Sequence, residues 1–388
     1  MEKARKRFPK FAVLGAGNGG QAFAAVLASK GFSVTLWNRS KSTVKAINKK
    51  GGIEITGEVI GFFKPDLVTT NLKKTLHNAD VIMIVTPANA HNSIAYLCAP
   101  YLKEGQIIVL NPGRTGGALE VKYILDKERY SNGVIIAEAQ TLIYISRALE
   151  PGKVDLVAIK SECPVAAFPA TETIKVIQVL QLLHKEFVPA PNVLTTSIDN
   201  IGCIFHPAPL LFNAARAEDP NEKYDHYIDG ISPTVGAFLE KMDAERLEIG
   251  KKLGIDVISA RDWLCRVYNS PSGGNLYEVI QCSDNYSGIG APDTLTHRYI
   301  FEDIPTGLVP LSSLGKALSV PTPAINAFIN LVCVFYGIDF CKVGRTCEKL
   351  GLSDMSAMEI KSYVETGIRE EIKEEIFFSQ ESLFIANE

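Results

Sequence analysis

The chain is predicted to be an α/β protein, with an N-terminal Rossmann domain built on a mostly parallel sheet and an all-α C-terminal domain. Three observations predict this. Short apolar runs alternate with helical stretches through the first half. A glycine-rich turn, Gly15-Ala16-Gly17-Asn18-Gly19-Gly20, follows the first apolar run directly. Beyond about residue 190 strand-like runs give way to helical periodicity.

Phe11-Ala12-Val13-Leu14 is nearly all apolar, as a buried parallel strand should be. Gln21 to Lys30, rich in alanine and free of proline, reads as a helix, and Ser33 to Trp37 as the next strand. Val81 to Val85, Gln106 to Leu110, Val134 to Ala137 and Val154 to Ile159 are further strands of the same sheet. Ligands of such sheets bind at the carboxyl ends of the strands, which draws attention to Gly15–Gly20, Thr86–Ala88 and Asn111–Gly117. Pro189-Ala190-Pro191-Asn192 reads as a hinge, dividing a dinucleotide-binding domain, 1–190, from a helical substrate domain, 191–388. In the second domain Val235 to Leu253 and Ala324 to Tyr336 read as helices, and residues 219–222, 269–274 and 288–293 as loops. Near the end, Ile368, Ile372 and Ile376 repeat every four residues through a charged stretch. This amphipathic helix has a mixed, acidic polar face, suited to docking on its own protein or on a second subunit of a homodimer rather than on a membrane.

With 388 residues the chain is too long for one ordinary core, hence two domains. At 46% hydrophobic and 21% charged residues it reads as an ordinary globular protein. A formal charge of −3 offers no basic face to a nucleic acid. The eight cysteines form no C-x-x-C pair, so neither a zinc site nor a redox dithiol is expected, and scattered thiols fit a reducing, cytoplasmic location. The basic start lacks the apolar region of a secretory signal, and no uncharged run is long enough to span a bilayer.

The glycine turn carries chemistry. Gly15 permits the tight turn, Gly17 lets a pyrophosphate approach the backbone and Gly20 lets helix and strand pack closely. The helix N-terminus then offers free N–H groups to phosphate. A carboxylate at the end of the second strand would select NAD by bonding the ribose 2′-hydroxyl. This chain has Trp37-Asn38-Arg39-Ser40-Lys41 there. Nothing repels a 2′-phosphate, and Arg39, Ser40 and Lys41 can hold it. The reading is therefore NADP(H), with NAD(H) remaining open if Arg39 stacks on the adenine instead. Thr86 and Pro87, at a neighbouring strand end, complete the cofactor set.

Six histidines are candidates for proton handling: His77, His91, His184, His206, His226 and His297. His77 and His184 lie among charged residues, which suggests surface positions. His91 follows Thr86-Pro87 and either approaches the nicotinamide or caps a helix. His206 lies in an apolar block, Asn200 to Pro207, just inside the second domain. By its surroundings alone it is as readily a satisfied core residue as a catalyst.

The chain resembles the opine dehydrogenases of the octopine and nopaline type. The resemblance rests on Val13 to Gly20, Leu110-Asn111-Pro112-Gly113 with Thr115 to Glu120, His206-Pro207 with Asn213 to Arg216, and Asp243 to Arg246. The closest blocks are Arg298 to Asp303 and Thr306 to Leu311. Together they are similar to the bacterial carboxyethyl-norvaline dehydrogenase type in particular, up to about Leu352. The resemblance implies an enzyme that joins an α-keto acid, often pyruvate, to the amine of an amino acid and reduces the imine with a nicotinamide cofactor. It implies His206 as proton donor, Asp303 as the carboxylate that orients it and raises its pKa, and Arg298 and Tyr286 on the substrate side. Arg147 and Arg216 are given no role. A metal is unnecessary for such hydride chemistry. Asn38 departs from the acidic residue of the NAD-dependent bacterial member, which leaves cofactor choice to local chemistry.

Two other functions compete. A glycerol-phosphate or β-hydroxyacid type dehydrogenase would use a lysine as proton carrier, and the interdomain block offers none. A non-catalytic NADP(H)-sensing protein would need the glycine turn without His206, Asp303 and Arg298 together.

Overall fold

The structure is a computed structural model that describes residues 8–130, 133–268 and 273–369. The strands are β1 (Phe11–Leu14), β2 (Val34–Trp37), β3 (Ile53–Gly57), β4 (Gly61–Phe63), β5 (Leu67–Thr69), β6 (Val81–Ile84), β7 (Ile107–Leu110), β8 (Ile135–Ala139), β9 (Tyr144–Glu150), β10 (Lys153–Ile159), β11 (Cys163–Phe168) and β12 (Phe187–Pro189). Eight of them form one sheet in the order β12-β11-β8-β7-β6-β1-β2-β5. All neighbouring pairs are parallel except β8 with β11. The order reverses between β1 and β6, where the chain leaves β1 for β2 on one side and later returns to β6 on the other. That switch point opens a crevice at the carboxyl ends of both strands.

Alternation along each strand divides the hydrophobic interior by sheet face. Phe11, Val13, Val81, Met83, Ile107 and Val109 pack on one side, against Phe23 and Leu27 of the helix Asn18–Ser29. Ala12, Leu14, Ile82, Ile84, Ile108 and Leu110 face the other. That second core continues without interruption into the C-terminal helices, through Val193, Leu194, Ile204, Leu239 and Ile304. The two cores expected from chain length are thus the two faces of the sheet rather than one core per domain.

Two expectations are corrected. Val154 to Ile159 does not join the main sheet. As β10 it lies in a separate four-stranded sheet, order β4-β3-β10-β9, parallel to β3 and antiparallel to β9. This small sheet is folded over the helix Asn18–Ser29: Asn18 Oδ1 accepts from Ala148 N at 3.0 Å and Gln21 Oε1 from Gly152 N at 2.6 Å. Only alternate residues of β10, Val154 and Leu156, are fully buried, because the strand has one covered face. The segment read as a hinge is a tight connection. Pro189 closes β12, Ala190 N bonds Val165 O, and the buried Asn192 caps the helix Val193–Ile198 through Leu194 N and Thr195 N.

The expected long helices are present as Pro233–Lys252 and Pro323–Tyr336. The stretch from Arg369 to Ile376 falls almost entirely outside the described residues, and residues 269–272 of one expected loop do so as well. Among the described residues no helix is long and apolar enough to cross a membrane.

Candidate active site

A cleft of about 670 Å³ runs from the glycine turn to the C-terminal helices. Gly17, Asn18 and Gly19 line one end, Thr86, Pro87, Asn111 and Arg114 the strand ends, and His206, Tyr286, Arg298 and Glu302 the helical side. Residues drawn from three distant blocks of sequence therefore share one cavity.

The glycine turn has the backbone its sequence demands. Gly15 has φ +108°, and a Cβ there would meet Val85 O at 2.5 Å. A Cβ on Gly20 would fall 1.8 Å from Gly15 O, so the helix can approach the strand only with glycine at this position. A Cβ on Gly17 would meet nothing within 4 Å: it would project into space that a pyrophosphate can use. Gly17 caps the helix Asn18–Ser29 without any side-chain bond, leaving its first N–H groups open to phosphate oxygens. Among the described residues the buried Thr86 Oγ1 and Asn111 Oδ1 on the cleft wall have no hydrogen-bond partner, which a polar ligand can supply. These features fit a dinucleotide.

At the end of β2, Asn38 Oδ1 accepts from Ala16 N at 3.2 Å and so braces the turn. Arg39 is exposed, with no carboxylate within 4.0 Å among the described residues. Ser40 is already used: its Oγ accepts from Thr43 N at 3.3 Å as the cap of the helix Lys41–Lys50 and lies 2.8 Å from Ser42 Oγ. That helix carries no acidic residue in its first turn.

On the far side, His206 stands between the short helices Gly202–Phe205 and Pro207–Phe212. Pro207, which lacks an N–H to lose, begins the second. Asp303 immediately precedes a π-helical turn, Ile304–Leu308. Close packing joins the two: a Cβ on Gly307 would fall 2.3 Å from Cys203 Cβ. The result is a bond of 2.7 Å between His206 Nδ1 and Asp303 Oδ2. Asp303 is fully buried, whereas 13% of the His206 side chain stays exposed to the cleft. Tyr299 stacks on the imidazole at 4.2 Å and 11°, which fixes the ring plane.

Burial works against the Asp303 charge, but Arg114, then His206 and Arg298, hold its carboxyl below the ordinary value. His206 departs from expectation. Burial lowers its pKa by more than Asp303 raises it, with Arg114 and Arg298 lowering it further. The imidazole is therefore neutral at rest, its Nδ1 proton donated to Asp303 and its Nε2 left as an acceptor.

Arg298 lines the cleft, about half exposed, with Nε 3.8 Å from Glu302 Oε2. Tyr286 lines it too, buried against Tyr227 at 4.1 Å between ring centroids. Of the remaining histidines, His91 is fully buried against Arg345 Nη2 at 3.1 Å and lies off the cleft. His184, expected at the surface, is turned inward with Nε2 2.7 Å from Tyr144 Oη. Arg216 pairs with Glu222, away from the cleft.

Four residues without a role in the sequence reading emerge. Arg114, with positive φ at the β7 end, reaches Glu302 at 3.5 Å, Asp303 at 3.9 Å and Asn200 Oδ1 at 3.1 Å. Glu302 Oε1 accepts from Ala88 N at 3.1 Å, joining the β6 end to the substrate side. The buried Arg345 ties Glu120, Gly113 O, Thr115 O and Ala88 O together, bracing two strand-end loops from the C-terminal domain. Lys160, at the end of β10, lines the cleft as well. The signals in the sequence were the position of Arg114 after a strand end and that of Glu302 inside the Arg298–Asp303 block.

Two stretches of the chain match family models of known proteins. Residues 189–336 match the family model of the NAD/NADP octopine/nopaline dehydrogenase alpha-helical domain, and residues 10–113 that of the NAD-dependent glycerol-3-phosphate dehydrogenase N-terminus. An opine dehydrogenase of Arthrobacter sp. (strain 1C) is 44% identical over 356 residues, covering 92% of this chain and 98% of that protein. Octopine dehydrogenase of Pecten maximus is 24% identical over 82% of this chain and 88% of that protein. Among solved structures, an octopine dehydrogenase with NADH and L-arginine superposes with a TM-score of 0.79 at 22% identity, covering 94% of this chain and 99% of that one. NADP+-bound yersinopine dehydrogenase gives 0.70 at 16% identity, covering 92% and 98%. The last two show the shared fold.

Proposed function

The chain belongs to the opine dehydrogenase family, and from that premise we propose that His206 and Asp303 carry its proton chemistry and that NADP(H) is its preferred cofactor. The enzyme condenses a keto acid with the amine of an amino acid and reduces the product with NAD(P)H, giving a secondary amine dicarboxylate. In this division of labour residues 1–190 hold the cofactor, and residues 191–388 supply the His206–Asp303 pair and the amino-acid site.

The observation that carries the reading is the single cleft joining the glycine turn to a buried His–Asp pair. The neutral His206 takes the proton of the amino acid's ammonium, which frees the amine to attack the keto carbon. Asp303 stabilises the imidazolium so formed and keeps the ring in one orientation. The imidazolium then returns its proton to the hydroxyl that leaves as water. When bound, the nicotinamide supplies the hydride that reduces the imine. Arg298 faces the carboxylate of the amino acid, and Tyr286 with Tyr227 walls the substrate space. Arg39, Lys41 and a helix Lys41–Lys50 without an acidic residue in its first turn suit a 2′-phosphate, and the absence of a carboxylate at Asn38 supports the NADP(H) preference.

The test is NADPH oxidation with pyruvate and a pool of amino acids, with the product identified by mass spectrometry. A product mass equal to an amino acid plus pyruvate, less one oxygen, is expected, with loss of turnover in His206→Asn. Absence of any such product across the pool refutes the reading.

A further inference from the structure

Both substrates of the reaction carry a carboxylate, so the cleft needs two cationic anchors. Three cationic side chains line it: Arg114, Lys160 and Arg298. Arg114 is committed. It lies beside the His–Asp pair, 11% exposed, and its guanidinium is shared between Glu302, Asp303 and Asn200. A substrate carboxylate drawn to it would compete with Asp303 for the charge that keeps that residue ionised. Arg298 is the anchor on the amino-acid side. Lys160 remains.

Lys160 has a different environment from the other two. Among the described residues no carboxylate lies within 4.0 Å of its Nζ, whose hydrogen-bond partner is Thr141 Oγ1 at 2.5 Å. Its backbone N bonds Ile143 O at 2.9 Å, which ties it to the strand-end segment Gln140–Ile143; there Leu142 Cδ2 would lie 3.0 Å from a Cβ on Gly19, so this segment adjoins the glycine turn. A half-buried ammonium with one hydroxyl partner has lost much of its hydration without gaining a counter-charge. A carboxylate brought beside it would form a charge-assisted bond in a partly dehydrated site, where such bonds are strong.

We propose that Lys160, held by Thr141, is the anchor for the carboxylate of the keto acid. The inference rests on the reaction given above. The keto carbon is the atom that receives the hydride, and its carboxylate is bonded directly to it. That carboxylate therefore belongs on the wall that holds the dinucleotide, whereas the amino acid's carboxylate lies two bonds further away, towards Arg298. Burial chiefly depresses the Lys160 pKa, to about 8, with Arg114 lowering it and Cys163 raising it. Glu162, Asp199 and Arg266 are the other charged groups nearby, on the wall of a side branch of about 230 Å³ that Lys160 also lines. The ammonium is charged at neutral pH and discharges just above it.

The experiment compares wild type with Lys160→Met and Lys160→Arg. Steady-state kinetics use NADPH, pyruvate and an amino acid found as substrate in the pool. In Lys160→Met the KM for pyruvate is expected to rise roughly 10- to 100-fold, the cost of one lost charge-assisted bond. The amino-acid KM and NADPH affinity stay within about twofold, and kcat falls by less than about tenfold. Lys160→Arg keeps most of the pyruvate affinity and moves the alkaline limb of kcat/KM for pyruvate, near pH 8 in wild type, upward by more than one unit. Calorimetric binding of pyruvate to the NADPH-loaded proteins, which needs no turnover, is weakened in Lys160→Met by a similar factor. An unchanged pyruvate KM overturns the proposal, as does a loss confined to kcat, which would make Lys160 a proton carrier, or one confined to NADPH or to the amino acid. Failure of pyruvate to bind either protein overturns it too. Failure of the wild type to turn over any amino acid is a separate result, which refutes the reaction and leaves the calorimetry to judge Lys160.

Discussion

Replacing Asp303 by Asn removes one charge and little volume from the centre of the site. The carboxylate is fully buried and sits 2.7 Å from His206 Nδ1. Opposite unit charges at that separation attract by about 6 kcal/mol at an effective dielectric of about 20, a gross figure from which the cost of burying them has not been taken. A neutral amide can still accept the Nδ1 proton but stabilises an imidazolium far less. The part lost in the transition state should be about 3–5 kcal/mol, or roughly 10²- to 10⁴-fold in kcat. The second effect is directional. Asp303 raises the His206 pKa against burial. Without it the ring is harder to protonate, so the acid limb of kcat/KM moves to lower pH as the rate falls. The assay is a pH–rate profile for wild type and Asp303→Asn, with thermal melts to confirm that the variant folds, since Arg114 would keep only Glu302 as a carboxylate partner. A folded variant with kcat within threefold of wild type and an unmoved acid limb refutes the reasoning.

Other perturbations separate cofactor binding from folding. Asn38→Asp keeps an acceptor for Ala16 N but places a negative charge where a 2′-phosphate would lie; the ratio of kcat/KM for NADPH to that for NADH should fall about 10- to 100-fold. Equal use of NADH and NADPH by wild type would sink the phosphate-clamp idea before any mutation is made. Gly17→Ala has room for its Cβ and should melt within a few degrees of wild type while weakening cofactor binding about tenfold or more, read by fluorescence titration. Gly20→Ala, whose Cβ overlaps Gly15 O, should lose about 3 kcal/mol or more of stability; equal melting temperatures for the two variants would contradict the turn geometry. Stability should also fall with acid. Burial holds His226 at about 3 and His184 at about 4, so below pH 6.5 the unfolded chain takes up protons that the folded one refuses. Each histidine then costs about 1.4 kcal/mol per pH unit down to its folded value. Melting temperatures from pH 7 to pH 4.5 test this, and a slope unchanged in His226→Gln would exclude that residue as a source.

The legible features were those set by local chemistry. Gly15, Gly17 and Gly20 are required by the turn's own backbone, and the all-apolar runs of β1, β6 and β7 announce strands buried on both faces. The His206 and Arg298–Asp303 blocks were legible through family resemblance, since neither block by itself says that they meet. β10 is misassigned by sequence because a short, mostly apolar stretch reads alike in any sheet, and its partners β3 and β9 are short or half-exposed. His184 was misplaced because its charged neighbours in sequence say nothing of the side on which Tyr144 waits.

What the sequence by itself determined is the dinucleotide turn, the alternation that builds a parallel sheet around it and the helical character of the second half. Each is a property of residues within a few positions of one another. Tertiary structure decided the rest: that His206 and Asp303, 97 positions apart, share a bond, and that Arg114 stands 3.9 Å from Asp303. It also put Lys160 on the cleft wall without a carboxylate partner among the described residues, and made a histidine beside a carboxylate neutral. Charge states and ligand-facing cations depend on which groups exclude water from one another, and only the packing of remote segments sets that.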